Sequence, residues 1–255
     1  MNLKEIFNLL NINKGDKILV NSSILKIIIK YQKVNKQFEP NQIIDVLIEK
    51  ISNTGTLLLP TFNWDFCRGL GFDYFNSRSQ SGSLGNISLK RKDFKRSKNP
   101  IYSFSVFGSD KQNICSMPHA SCFSLDSPFG YLIKNGGKNL FIDIDYKDAF
   151  TFVHVAEESI GVNYRYFKDF KGNYKNEFNQ EIEDCYKMYV RDLNIAKSTI
   201  IDKGFDEILI ENNAYEKKII AGINFTIIDI NKAYNLMLNE LKLSTNLIYP
   251  EKIKK

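Results

Sequence analysis

The chain has 255 residues, 43% hydrophobic and 25% charged, with 14 glycines and 6 prolines. These proportions exclude a disordered, collagen-like or linker-dominated chain and leave a folded domain with an ordinary apolar core. Lys and Arg number 35 against 29 Asp and Glu, a net charge of +6; this excess is mild and spread along the chain, which suits a small anionic ligand better than nucleic acid.

The first seventeen residues, MNLKEIFNLLNINKGDK, read as an amphipathic helix with no small-residue cleavage site. The most apolar run, 23–31, is short and contains Lys26 and Lys30, so no transmembrane helix and a cytoplasmic location are expected. Short β-branched or apolar runs at 17–21, 56–60, 101–107, 139–144, 207–210 and 225–230 read as strands. Residues 41–52, 150–161 and 231–241 carry helical periodicity. Strands alternating with helices predict an α/β fold: a single large domain over 1–255, with a central mixed sheet flanked by helices. Residues 161–181 show no clear period, are crowded with Tyr, Phe, Lys and Asn, and are expected to form a lid or substrate lobe.

The four cysteines, Cys67, Cys115, Cys122 and Cys185, lack Cys-x-x-Cys spacing and read as free thiols. Cys115, His119 and Cys122 could hold zinc if a fourth ligand came from elsewhere, or could be incidental thiols of a surface loop; no metal is predicted. Phosphate-loop, dinucleotide-binding and nucleophile-elbow motifs are absent from the sequence.

The chain has two histidines. His154 lies in the run 148–158, DAFTFVHVAEE. On a helix, His154 and Glu157 share a face. A carboxylate beside an imidazole raises its basicity and fixes its orientation, which suits a general base; the same spacing also arises where a packed His adjoins a solvated Glu. Asp148 reads as the helix N-cap and Thr151 as a first-turn residue. Asn21-Ser22-Ser23 ends the first strand, where hydroxyls and backbone N–H groups either hold a phosphate or carbonyl oxygen or cap the next helix. Residues 95–100, followed by Ser103, read as a basic turn that grips phosphates or is solvated. Gly136-Gly137 reads as a turn, and Pro128 as a first helical residue.

In this order the segments resemble one family, the aminoglycoside 3-N-acetyltransferases, also called antibiotic N-acetyltransferases. The family's His-Ser-Ser appears as Asn21-Ser22-Ser23, and its Gly-Thr-…-Pro-Thr-Phe as 55–62. Ser79-Gln80-Ser81-Gly82 matches its small-residue segment, and 96–103 its Arg-Ser-x-His-Pro-x-x-Ser, with Asn99 at the histidine. Ser127-Pro128-Phe129 follows, and Asp-x-x-Thr-x-x-His-x-x-Glu is intact as Asp148, Thr151, His154 and Glu157. The match runs over about 15–160; the C-terminal third carries no recognised motif.

The resemblance implies an acetyl-CoA-dependent N-acetyltransferase, with an α/β fold distinct from the GNAT fold, that needs no metal and forms no covalent intermediate. It implies His154 as general base, oriented by Glu157. Ser22, Ser23, Thr61, Arg96, Ser97 and Ser103 are expected to contact the cofactor, and Ser22, Ser23 and adjacent amides to meet the thioester oxygen. Asn21, Asp148, Thr151, Tyr164 and Tyr166 are expected on the substrate side. Asn21 and Asn99, replacing family histidines, are expected to alter these contacts. A basic balance fits a polycationic antibiotic poorly, so a dTDP- or UDP-linked amino sugar of surface polysaccharide biosynthesis is the expected acceptor. An aminoglycoside is the alternative. Other readings are a non-catalytic CoA- or sugar-binding protein and an acyltransferase using Cys115 or Cys122 with His119. Nucleic acid and membrane are not expected partners; a homodimer is left open.

Overall fold

The computed structural model describes residues 2–34, 37–118 and 120–253. The chain opens with helix α1 (Leu3–Asn8), then strand β1 (Lys17–Ser22), helices α2 (Leu25–Gln32) and α3 (Asn41–Ile51), and strand β2 (Thr56–Pro60). Strand β3 (Phe72–Asp73), helix α4 (Ser83–Ser88), strands β4 (Lys95–Arg96) and β5 (Phe104–Gly108), and helices α5 (Lys111–Ser116) and α6 (Pro128–Lys134) follow. Next come strand β6 (Lys138–Ile142), helix α7 (Phe152–Ile160) and strands β7 (Arg165–Lys175), β8 (Glu181–Arg191) and β9 (Ala196–Ile201). Helix α8 (Gly204–Glu211), strands β10 (Tyr215–Ile220) and β11 (Ile223–Asp229), helix α9 (Ile230–Leu243) and strand β12 (Ile248–Lys252) complete the chain.

Among the described residues, the main sheet has the order β10-β11-β6-β1-β2-β5-β4. β1 is parallel to both β2 and β6, and the outer strands pair antiparallel. Both faces are covered. Ile18 and Val20 of β1, Leu57 and Leu59 of β2, and Leu140 and Ile142 of β6 join the core under α1 to α4. Leu19, Leu58 and Phe141 face the other core, with Phe129 of α6, Phe152 of α7 and Met237 of α9. Successive strand residues point to opposite faces, so a strand buried on both sides reads as a continuous apolar run. That is why 17–21 and 56–60 are legible as strands.

Local chemistry sets several boundaries. Ser127 caps α6 with Pro128 at its start, and Gly136 makes the turn before β6 at φ 65°. Gly161 ends α7 at φ 72°, where its N–H reaches the carbonyls of Glu157 and Glu158. Gly85 of α4 sits against β2: a Cβ there would lie 2.2 Å from the Pro60 carbonyl oxygen.

Four expectations are corrected. Residues 207–210 belong to helix α8, whose Phe205 and Leu209 are both buried; a four-residue apolar run does not separate the two periods. Residues 161–181 are not irregular. They include β7, which pairs along its length with β8 as an antiparallel hairpin. Most of β7 is exposed on both faces, so no apolar alternation marks it. Asp148 does not cap α7: it ends a 3-10 turn, Tyr146–Asp148, and Thr151 holds the N-cap position. The strand expected at 101–107 starts at Phe104, because Asn99 Oδ1 takes the amides of Ile101 and Tyr102.

Candidate active site

The parallel strands β1, β2 and β6 all run toward one edge of the sheet, ending at Ser22, Pro60 and Ile142. The chain goes from β1 to β2 on one side and returns to β6 on the other. Strand ends at such a reversal open a crevice. Helix α7 follows β6 and carries His154 and Glu157 to this end of the sheet.

His154 is held from several segments. Its Nδ1 lies 2.8 Å from Glu157 Oε2 and 2.9 Å from Arg165 Nη2. Arg165 Nε is 2.7 Å from the same Glu157 oxygen, and Arg165 Nη1 donates to the Tyr189 carbonyl. The other carboxylate oxygen, Oε1, accepts from the Tyr164 hydroxyl at 2.9 Å and the Thr199 hydroxyl at 2.6 Å. Glu157 is wholly buried, whereas the His154 side chain keeps 26% exposure. The Phe123 ring packs 5.2 Å from the imidazole.

Burial pushes the Glu157 carboxyl up, but its bonds to His154 and Thr199 and the Arg165 charge hold it below the usual range. For His154, burial dominates and lowers the pKa; the Glu157 bond opposes this and the Arg165 charge adds to it. At neutral pH the cluster is therefore a neutral imidazole beside a Glu–Arg ion pair. Such an imidazole can accept a proton.

Cavities lie on two sides of His154. One of about 450 Å³ is walled by Tyr102, Phe123, Tyr166, Lys168, Arg165 and Arg191. A smaller one of about 180 Å³ contains Asp148, Thr151, Arg191, Ser198 and Thr199. Ala149 borders both this cavity and a third of about 190 Å³ at the strand ends, where Asn21, Ser22, Ser81 and Gly82 lie.

The sequence pattern of the aminoglycoside 3-N-acetyltransferase family matches residues 19–241 of this chain. The chain belongs to this family. By that family it is an N-acetyltransferase. Among solved structures it is similar to AAC-IIIb bound to CoASH, with TM-score 0.74 and 16% identity over 99% of this chain and 97% of that one. It is similar to AAC-VIa bound to sisomicin, with TM-score 0.73 and 16% identity over 95% and 96%. It also resembles YokD from Bacillus subtilis, with TM-score 0.72 and 19% identity over 93% and 96%. At these identities the likeness concerns the fold. No curated protein matches the chain by sequence.

The residues at hand fit an acetyltransferase donor. An elongated polyanionic thioester can meet the hydroxyl of Ser22 in the strand-end cavity and the Arg191 cation at the next one, where Lys147 is already paired with Asp145 and Asp206.

Several residues carried over from the family pattern lie away from these cavities. Thr61, Arg96, Ser97 and Ser103 are buried and bonded to one another or to backbone. Arg96 donates to Ser103 Oγ and to the carbonyls of Thr61, Tyr74 and Ser77, with its guanidinium 4.5 Å from the Phe72 ring centre. It clamps the start of β4 and does not present itself to a phosphate. Ser97 Oγ accepts the Phe104 amide, and the Thr61 and Ser103 hydroxyls bond each other at 2.9 Å. Asn99 is buried and braces the β4–β5 turn, so its replacement of histidine touches the fold before any ligand. The Ser23 amide is taken by the Ile142 carbonyl and is not free for an oxyanion. Tyr164 is buried against Glu157, where it cannot stack on a nucleobase. Tyr166 is 48% exposed in the cavity wall.

Cys115 and Cys122 are buried and not in an exposed loop; His119 lies outside the described residues, and no metal-ligand group occurs among them. Burial pushes the Cys115 thiol up to about 12 and Cys122 higher still, so neither forms a thiolate nucleophile at neutral pH. No described helix is long and apolar enough to cross a membrane.

The sequence reading missed Arg165, Arg191 and Thr199. Arg165 stands between the two tyrosines it did select, with no motif to mark it. Thr199 reaches Glu157 only through the return of β9, and no spacing along the chain announces that.

Proposed function

We propose that this acetyltransferase acetylates the primary amine of an amino sugar bearing an anionic, nucleotide-like group, with His154 as general base. The observation that carries the anionic part is the wall of the larger cavity: Lys168 and Arg191 stand against the single carboxylate of Asp192, while the Arg165 charge is paired with Glu157. These two cations disfavour an acceptor with several ammonium groups and attract a pyrophosphate. Tyr166 in the same wall offers an exposed ring face for a base or sugar.

Most sugar amines are protonated near pH 7 and attack only as the free base. His154 receives the proton that the acceptor nitrogen loses as its bond to the acetyl carbon forms. The thioester carbon–sulfur bond breaks, and the departing sulfur takes up a proton. Glu157 holds Nδ1 of the ring and stabilises the imidazolium while it exists. Ser22 lines the strand-end cavity, which supports a contact with the donor there.

An aminoglycoside acceptor is the second reading. The family name and the sisomicin bound by AAC-VIa favour it. A thiol-release assay with acetyl-CoA decides between them, using nucleotide-linked 3- and 4-amino deoxysugars in one panel and gentamicin and kanamycin in the other. Release confined to the first panel is expected; release confined to the second overturns the anionic acceptor. The base is tested separately by His154→Ala, which is expected to lower kcat by about 10²- to 10⁴-fold while CoA affinity is kept.

A further inference from the structure

We propose that Arg165 is a positioning residue for His154: it holds Glu157 as an acceptor and thereby fixes the imidazole with its proton on Nδ1 and its lone pair on Nε2. This rests on His154 being the base.

The argument begins with a conflict at one atom. Glu157 Oε2 and Arg165 Nη2 both approach Nδ1, at 2.8 and 2.9 Å. An imidazole nitrogen carries either a proton or a lone pair, so only one of these is a hydrogen bond. If Nδ1 accepted from Arg165, its lone pair would face a buried carboxylate oxygen. Glu157 has no means to turn away. Its other oxygen is occupied by the Tyr164 and Thr199 hydroxyls, and Oε2 is ion-paired with Arg165, whose Nε lies 2.7 Å away without hydrogen-bond alignment. Arg165 Nη2 does have another outlet, the Thr199 hydroxyl at 3.2 Å. Nδ1–H donating to Glu157 is therefore the arrangement with fewer opposed charges. The unprotonated nitrogen is then Nε2, which a base requires.

Arg165 does two things here. Its charge pairs Glu157 with β7, and Nη1, donating to the Tyr189 carbonyl, anchors the guanidinium to β8, which favours the carboxylate staying on the ring. Its charge opposes a second proton on the imidazole. The other charged and titratable groups around the ring are Tyr102 before β5, Tyr164 before β7, Tyr166 and Lys168 on β7, Tyr189 and Arg191 on β8 with Asp192 just after it, and Lys147 and Asp148 before α7. Of all these groups, only Glu157 and Arg165 are within hydrogen-bond distance of Nδ1.

The test is 15N NMR of the imidazole in a His119→Gln background, which leaves one histidine. At pH 7.5 the expected signals are a protonated Nδ1 and an unprotonated Nε2, with a titration midpoint below that of free imidazole. Arg165→Met is expected to raise this midpoint by roughly one pH unit, because the nearby cation is gone. The acid limb of kcat/KM should move up with it, and kcat should fall roughly tenfold as the ring loses its fixed orientation. Arg165→Lys keeps the charge without the fork: the limb stays and kcat still falls.

A proton on Nε2 in the otherwise native protein overturns the proposal, as does an unchanged midpoint in Arg165→Met. Should Arg165→Met fail to fold, Arg165→Lys decides: an unchanged kcat there overturns the proposal. An undiminished kcat in His154→Ala would sink the base itself, whereas the NMR result does not depend on turnover.

Discussion

At the residue scale, His154 and Arg96 show how differently two polar residues of one family pattern behave. His154 keeps partial exposure between two cavities, with its Nδ1 face tied to Glu157. Its replacement by Ala is expected to lower kcat by about 10²- to 10⁴-fold, the usual contribution of a positioned base, with little change in CoA binding measured by calorimetry. Arg96 spends its donors on three carbonyls and a hydroxyl inside the protein. Arg96→Met would take the donor from the Tyr74 and Ser77 carbonyls, while Thr61 and Ser103 keep each other, at a cost of about 3 kcal/mol measured by denaturant unfolding. A loss confined to CoA affinity, with stability unchanged, would instead return Arg96 to the cofactor site. Sequence separated neither case, because an Arg in a basic run looks the same whether its end is in water or against backbone carbonyls.

At the scale of elements, the β7–β8 hairpin matters most. Its base supplies Arg165, Lys168 and Arg191 to the larger cavity, and its middle stands in solvent. Reversing one of these charges, by Lys168→Glu, is expected to raise KM for an anionic acceptor several-fold and leave unfolding unchanged, since Lys168 is exposed. An equal effect on an uncharged amine would count against a charge role. Helix α4 gives a second test. Gly85→Ala places a methyl against the Pro60 carbonyl, so α4 must move outward; a destabilisation of about 1–3 kcal/mol is expected in thermal or urea unfolding.

At the scale of the whole molecule, the buried cluster links stability to pH. The folded pKa of His154 lies below its ordinary value, so the unfolded chain takes up this proton first as pH falls. Stability from the neutral ring is present above about pH 6.5 and is lost as pH drops toward the folded value. Glu157, also lowered, adds a second loss in the more acid range, below the ordinary carboxylate value. Urea midpoints should therefore fall between pH 7.5 and 5.5, and fall less in His154→Phe. An identical slope in that variant would show that other groups govern acid sensitivity.

The sequence by itself determined the sheet's central strands, the helix that carries His154 and Glu157, and the family. These rest on local signals: apolar runs buried on both faces, a 3.6-residue period, and short motifs in a fixed order. Tertiary structure alone decided which polar residues reach the cavities. Thr61, Arg96, Ser97 and Ser103 were drawn into a buried network, while Arg165, Arg191 and Thr199 arrived at the site from segments without a motif. Hydrogen-bond partners far apart in the chain are set by strand pairing and layer packing. Nothing in the residue types along one segment encodes which distant carboxylate or carbonyl that packing will bring to meet them.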